Sequence, residues 1–356
     1  MVSQVKGTFN QAPGDSWVKQ AAIAIFVLLI TITGISAWWF WHDMQSQLNT
    51  PLALESSLAY TIRTGMSLQA VTNELNQKGV LNKPYYLSLE ARRQGKERQI
   101  KAGEYHIQPG TTPLQLLDQF IEGKVIQYQL TLVEGWNFSQ VMNELRNNEH
   151  LVHTLESYDA SSVVTGLGLP MLNPEGQFFP DTYHFPANTT DIEFLKRAYE
   201  KMQQVLAEAW EQRAENLPYQ SVEEALVMAS IIEKETGLAE EREQIAGVFI
   251  RRLQKGMLLQ TDPTVIYAMG ESFDGNIRHK DLDIDSPYNT YRYIGLPPTP
   301  IALAGYDAIH AALHPQDGNT LYFVAKGDGS HHFTTTLVEH NKAVAKYQLN
   351  KHNKND

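Results

Sequence analysis

The chain has no cysteine among its 356 residues. Disulfides, thiol nucleophiles and cysteine-ligated metals are therefore excluded. Basic charge is also scarce: 29 Lys and Arg stand against 40 Asp and Glu, a net charge of -11. A nucleic-acid binder would show a basic face, so this balance argues against one. It leaves room for an uncharged or mixed polymer such as a glycan. Phosphate-cradling glycine loops, dinucleotide fingerprints and nucleophile elbows are missing too, and with them the usual signs of nucleotide or serine-hydrolase chemistry. There is no internal repeat and no low-complexity tract.

What is present begins with a long apolar run. Residues 21–41 carry no charge, and as a helix they span about 30 Å, the thickness of a bilayer's hydrocarbon core. Trp38, Trp39 and Trp41 gather at the far end, where an interfacial aromatic belt is expected. Lys6 and Lys19 precede the run, and no Lys or Arg follows before Arg63. The positive-inside rule predicts a single-pass anchor, residues 1–20 cytoplasmic and the remainder exported. A cleaved signal peptide fits less well, because its apolar core is shorter and Ile35-Ser36-Ala37 lacks one small residue of a cleavage site. Residues 42–55 read as a polar tether.

Two α+β regions follow. In residues 56–125, a strand at 60–63, a helix capped by Ser67 and stopped at Gly79, and a second helix over 83–93 come first. A strand at 102–107 and a helix capped by Thr111 or Thr112 and ended by Gly123 complete a small module. From Val125 the pattern restarts, with a strand over 127–133 and a helix starting near Ser139. Residues 174–186 are rich in aromatics and proline and read as a loop. Helices are predicted over 191–217, 222–235 and 240–255, followed by a mostly non-helical stretch over 256–300. A hairpin is expected around Lys326-Gly327-Asp328-Gly329, and a last helix near Leu337.

One residue of this pattern is out of place. At about 100° per residue, Val222, Leu226, Ala229 and Glu233 share one narrow stripe of their helix, while Glu235 falls on the far side with Glu224, able to remain wet. A carboxyl on an apolar stripe is desolvated, so its pKa rises and it can hold a proton near neutral pH. That is what a general acid needs. A helix-end glutamate that is partly exposed or salt-bridged is the alternative. Further along, the loops with Gln260, Thr261 and Asp262, and with Tyr288, Asn289 and Tyr291, set amides and hydroxyls beside aromatic rings. Such a mixture suits sugar, whose apolar faces stack on rings while its hydroxyls seek partners; the same residue types also simply form loops. Asp262 could partner Glu233 in a two-carboxylate glycosidase, or cap a turn. His310 and His314 have helical spacing, with His331, His332 and His340 beyond. They lack the glutamate of a zinc-protease helix, so structural or surface roles are favoured and no metal is expected.

The segment SIIEKETG, then Glu241-Arg242, Val248-Phe249-Ile250, Arg252-Leu253, Gly256-Met257 and LQTDPTVIY, resembles the endolytic murein transglycosylases, the MltG/YceG-like family. The likeness continues through Tyr288-Asn289-Thr290-Tyr291, GLPP, Ile301, the strand Tyr322-Phe323-Val324-Ala325 and Glu339-His340-Asn341. Upstream, Val133-Glu134-Gly135, Pro180-Asp181-Thr182-Tyr183 and Ala102-Gly103-Glu104-Tyr105 fit as well. Thr299 and Ala268 depart from it, standing where the family commonly has glycine.

The resemblance implies an α+β protein with one transmembrane helix, a LysM-like module over 56–125 and a catalytic domain over 126–350. It implies a bacterial inner-membrane lyase that needs no cofactor and cuts the MurNAc–GlcNAc bond of nascent peptidoglycan, leaving 1,6-anhydro ends. Glu233 would be the sole acid and base, and Gln260, Thr261, Asp262, Tyr288, Asn289 and Tyr291 would place substrate. Penicillin-binding synthases are implied as further partners. A non-catalytic peptidoglycan-binding scaffold is the alternative reading, and a metal-dependent hydrolase built on the histidines a third.

Overall fold

The computed structural model describes residues 15–168 and 173–349. Residues 1–14 of the expected cytoplasmic lead, Lys6 included, lie outside the described residues. The chain divides between Ile126 and Gln127 into two units.

In the first unit, α1 (Asp15–Asn49) runs unbroken through the apolar segment. Its side chains from Trp17 to Trp41 stay exposed, and it is long and apolar enough to cross a membrane. The helix does not stop at the end of the apolar run. Met44, Leu48 and Leu52 are buried in the core of the unit, and Asp43 pairs with Lys83 at 2.6 Å. The segment expected as a polar tether is therefore largely helix, and its apolar side is part of the fold. Strands β1 (Leu58–Ile62) and β2 (Gly103–Ile107) pair antiparallel with Tyr60 opposite Tyr105, while α2 (Leu68–Gln77), α3 (Pro84–Arg93) and α4 (Pro113–Glu122) cover them. The caps follow from local chemistry: Ser67 Oγ accepts the Ala70 N–H, and Thr112 and Gln115 satisfy each other's backbone donors in a capping box. Gly123 ends α4 in the left-handed region at φ 73°, where a side chain would be strained.

The second unit opens with β3 (Gln127–Thr131), α5 (Phe138–Asn147) and α6 (Ala160–Leu167). Strand β4 (Thr182–Pro186) pairs antiparallel with β3, Leu130 opposite Tyr183. The end of the expected aromatic loop is thus a strand, made so by a partner more than fifty residues away. Next come α7 (Asp191–Glu211), α8 (Val222–Glu235), α9 (Ala239–Gln254) and α10 (Asp262–Met269). The last of these lies in the stretch expected to be mostly non-helical. Pro263 sits in its first turn, where a missing N–H costs nothing. Helix α11 (Tyr306–Leu313), the hairpin β5 (Tyr322–Ala325) and β6 (His331–Thr334), and α12 (Leu337–Val344) close the unit. The fold is α+β.

Helix α8 is the centre of this unit. It packs against α7, α9, α10 and α11, and every residue from Ala225 to Ile232 is buried. A stripe of apolar positions therefore does not single out one inner face, because the helix is enclosed all round.

The packed end of α1 gives a direct test. Leu48→Ala should destabilise the protein by about 2–5 kcal/mol in denaturant unfolding, the usual cost of such a core truncation. A free tether would tolerate it within about 0.5 kcal/mol.

Candidate active site

Glu233 occupies the last turn of α8, and its side chain is only 7% exposed. Oε2 accepts the Gly305 N–H at 3.0 Å. Gly305 is the residue that precedes α11, so the carboxylate also meets the positive end of that helix. Arg242, on α9, lies 3.9 Å from Oε1 and is itself bonded to Asp307 at 3.1 Å. Burial pushes the Glu233 carboxyl above its usual range, and the Glu134 and Asp307 carboxylates add to the shift. The Gly305 N–H and Arg242 oppose it. The group is thus disposed to hold a proton, with donors at hand to stabilise it once the proton leaves.

Gly305 is placed by its neighbours. Gly135 N–H donates to Leu303 O at 2.8 Å, and Leu303 N–H returns a bond to Trp136 O at 2.7 Å. Ser230 Oγ, one turn before Glu233, accepts the Ile301 N–H at 3.0 Å. Lys234 Nζ reaches Gly135 O at 3.0 Å. Segments 134–136 and 301–305 are therefore both fastened to α8 beside the carboxylate.

The other side of α8 departs from expectation. Glu235 is half-buried, not wet, and its carboxylate accepts the Thr261 hydroxyl. Burial raises it to about 7. It lines an open groove of about 490 Å³ with Gln260, Asp262, Tyr291, Arg252, Tyr322 and His340. Gln260 has φ 53°, an uncommon conformation for a side-chain-bearing residue. It is held there by its N–H to Thr290 O at 3.1 Å. Beneath it the buried Arg252 donates to Leu259 O at 2.8 Å and Leu321 O at 2.7 Å, and lies over the Tyr322 ring. Tyr291 donates to Asp262 at 2.5 Å, and His340 stacks on Tyr322.

Of the six residues expected to place substrate, the groove presents Gln260, Asp262 and Tyr291. Thr261 is buried and bound to Glu235. Asn289 is fully buried and gives both amide donors to Leu282 O and Ile284 O, so it staples its own loop. Tyr288 is turned to Thr299 Oγ1 at 2.7 Å and packs on Tyr267. The histidines part company: His310 stacks on His314, His331 bonds Glu241 at 2.7 Å, and His332 lies near Tyr347.

Sequence reasoning named Arg242 and Glu134 only as parts of the family resemblance and gave them no role, and it passed over Gly305 and Asp307, whose signal is spatial only. It also passed over Glu175, a buried carboxylate raised by burial to about 7. An acid set between Pro174 and Gly176 ahead of Phe178-Phe179 was the available hint.

The model of the YceG-like family matches residues 60–346. The chain belongs to that family. A Bacillus subtilis protein named endolytic murein transglycosylase is 33% identical over 84% of this chain and 87% of its own length. A Streptococcus pneumoniae protein of the same name is 26% identical over 95% of this chain and 67% of its own. A crystal structure of a yceG-like protein from Listeria monocytogenes, 30% identical, superposes with a TM-score of 0.50 over 82% of this chain and all of that one. The family match over residues 60–346 includes α8 and α10; the roles of single residues rest on the geometry.

The half-buried Glu235 carries a signature in stability. Its pKa is about 7 folded against an ordinary 4.5, so between those values the native state binds more protons than the unfolded chain, and stability falls as pH rises. Glu235→Gln keeps an oxygen for Thr261 but removes the titration. In urea unfolding the variant should match the parent near pH 4 and exceed it above pH 7. Parallel curves across that range would refute the burial of this carboxyl.

Proposed function

We propose that this chain is a membrane-anchored endolytic peptidoglycan transglycosylase in which Glu233 alone serves as acid and base. The observation that carries the reading is the desolvated Glu233 carboxyl set against the Gly305 N–H. The family relationship and the names of the relatives supply the substrate class.

In this reaction the protonated Glu233 gives its proton to the glycosidic oxygen as the bond between that oxygen and MurNAc C1 breaks. The carboxylate left behind is stabilised by the Gly305 N–H, with Arg242 nearby. It then takes the proton of the MurNAc C6 hydroxyl as O6 bonds to C1, which closes the 1,6-anhydro ring. The glutamate ends as it began and no water is consumed. Because the nucleophile belongs to the substrate, its effective concentration can reach about 10⁵ M or more. The second carboxylate of a hydrolytic glycosidase is then unnecessary. Glu235 and Asp262, on the groove side of α8, serve with Gln260 and Tyr291 to hold the strand beyond the scissile bond.

The remaining parts fit the same task. Residues 21–41 of α1 cross the cytoplasmic membrane with the N-terminus inside, so that the chain beyond residue 41 lies on the side where nascent glycan emerges. Residues 56–125 form a LysM-like module; between α2 and α3 it has an open groove with Tyr85, Leu89, Gln69 and Asn73. Cutting within new strands would limit their length, and synthases of the penicillin-binding class are the natural neighbours for such an enzyme.

Mass spectrometry of products from purified glycan strands tests the assignment. Glu233→Gln should keep the fold and glycan binding while anhydro-end release falls at least about 10²-fold, the usual contribution of a general acid–base group. Normal release by that variant would refute the role of Glu233. Glycan binding without cleavage by the parent would favour the scaffold reading.

A further inference from the structure

Glu175 is a carboxylate that the proposed reaction does not use, yet it is almost wholly buried. Its Oε1 accepts the Phe138 N–H at 2.8 Å, and its Oε2 accepts the Tyr267 hydroxyl at 3.0 Å. A buried acid is costly unless such partners satisfy it, so its retention calls for a reason. The partners supply one. Phe138 opens α5 two residues after Trp136, whose carbonyl holds Leu303. The Tyr267 ring packs on Tyr288 with centroids 4.8 Å apart, and Tyr288 bonds Thr299, the residue before Pro300. The next residue in the chain, Gly176, lies so close to Pro300 that an added Cβ would fall 2.4 Å from the proline's own Cβ. At φ 72° it also has the backbone conformation that glycine tolerates best. Loop 134–138 is therefore tied to Glu175 directly and loop 288–300 through Tyr267 and Gly176, and both join loop 174–177 in bearing on the segment that ends at Gly305.

We propose that Glu175 is a positioning residue for the reaction, locking together the three loops that aim the Gly305 N–H at Glu233. It touches neither substrate nor Glu233 and acts through the backbone of segment 300–305. The proposal rests on Glu233 being the acid–base group. A displacement of the donor on the order of 1 Å suffices to lower a rate by about 10²-fold, so small loosening here has a large effect. Glu175→Ala leaves Phe138 N–H and Tyr267 OH without their acceptor. Glu175→Gln keeps an oxygen for Phe138 and an amide that can donate to the Tyr267 oxygen.

The test uses the full chain with Glu175→Ala, Glu175→Gln and Tyr267→Phe. In the Ala variant kcat on glycan strands should fall about tenfold or more while KM stays within about twofold, a loss of transition-state alignment and not of binding. The Gln variant should recover most of kcat. Independently of turnover, NMR titration of the Glu233 side-chain carboxyl should show its midpoint rising in the Ala variant, because the Gly305 donor that favours the ionised form has drifted. A folded Ala variant with parental kcat and a parental Glu233 midpoint would overturn the proposal. If the Ala variant does not fold, Tyr267→Phe decides, since it keeps the Phe138 bond: a several-fold lower kcat with a shifted midpoint supports the role, and unchanged values overturn it. Were the parent to release no anhydro ends, the functional assignment would fail, while the midpoint comparison would still judge Glu175.

Discussion

The hydrogen bond from Gly305 to Glu233 joins a buried acid to a backbone donor held by three separate segments. Glu233 belongs to a helix enclosed by four others, where burial favours the protonated carboxyl. Gly305 belongs to an extended segment that α8 alone could not hold. It is held by Ser230 at one end, by the exchange of bonds between Leu303 and residues 135–136 in the middle, and by the start of α11 beyond. Burial without the donor would leave an acid too reluctant to give up its proton. The donor without burial would leave a carboxylate already ionised. Together they oppose each other on one carboxyl, as the proposed acid–base role asks.

Helix α8 carries a second raised carboxyl two residues on, in contrasting surroundings. Two residues turn about 200° around a helix, so Glu233 and Glu235 face different surroundings. Glu235 is bonded to a buried threonine and opens on a groove of exposed polar and aromatic groups. Glu233 meets a backbone donor and a guanidinium. The groove has the marks of a surface shaped for a ligand: a strained Gln260, a buried arginine fixing the loops beneath, and Tyr291 and Asp262 already oriented on each other.

Much of this was legible in the sequence, and the rest was hidden for physical reasons. The helix start at Ser67 announces itself, and that at Thr112 is narrowed to two neighbouring threonines, because the cap is a local bond within four residues. The bounds of α8 and the placement of Glu233 in it also follow from local pattern. Strand β4 was not legible, since its ladder partner lies some fifty residues away and prolines flank it. The packing of Met44 and Leu48 was masked by the polar residues between them, which occupy the outer side of α1. Periodicity placed Glu235 on the opposite side of the helix correctly, but read that side as solvent. From Ala225 to Ile232 the helix is packed on every side, and Glu235 just beyond is half-buried against Thr261; only the arrangement of α7, α9, α10 and α11 reveals it. Asn289 and Tyr288 look like sugar ligands in a string of letters, while the folded chain spends their polar atoms on its own loops.

The central claim is that one carboxylate suffices because the substrate provides its own nucleophile. Digestion of purified glycan strands by the full-length protein in water enriched in the heavy oxygen isotope tests this most directly. The account predicts new ends of anhydro mass that carry no label, since no water oxygen enters the product. Labelled reducing ends at the cleavage site would contradict it and would require a water-activating group that Glu233, acting alone, does not provide.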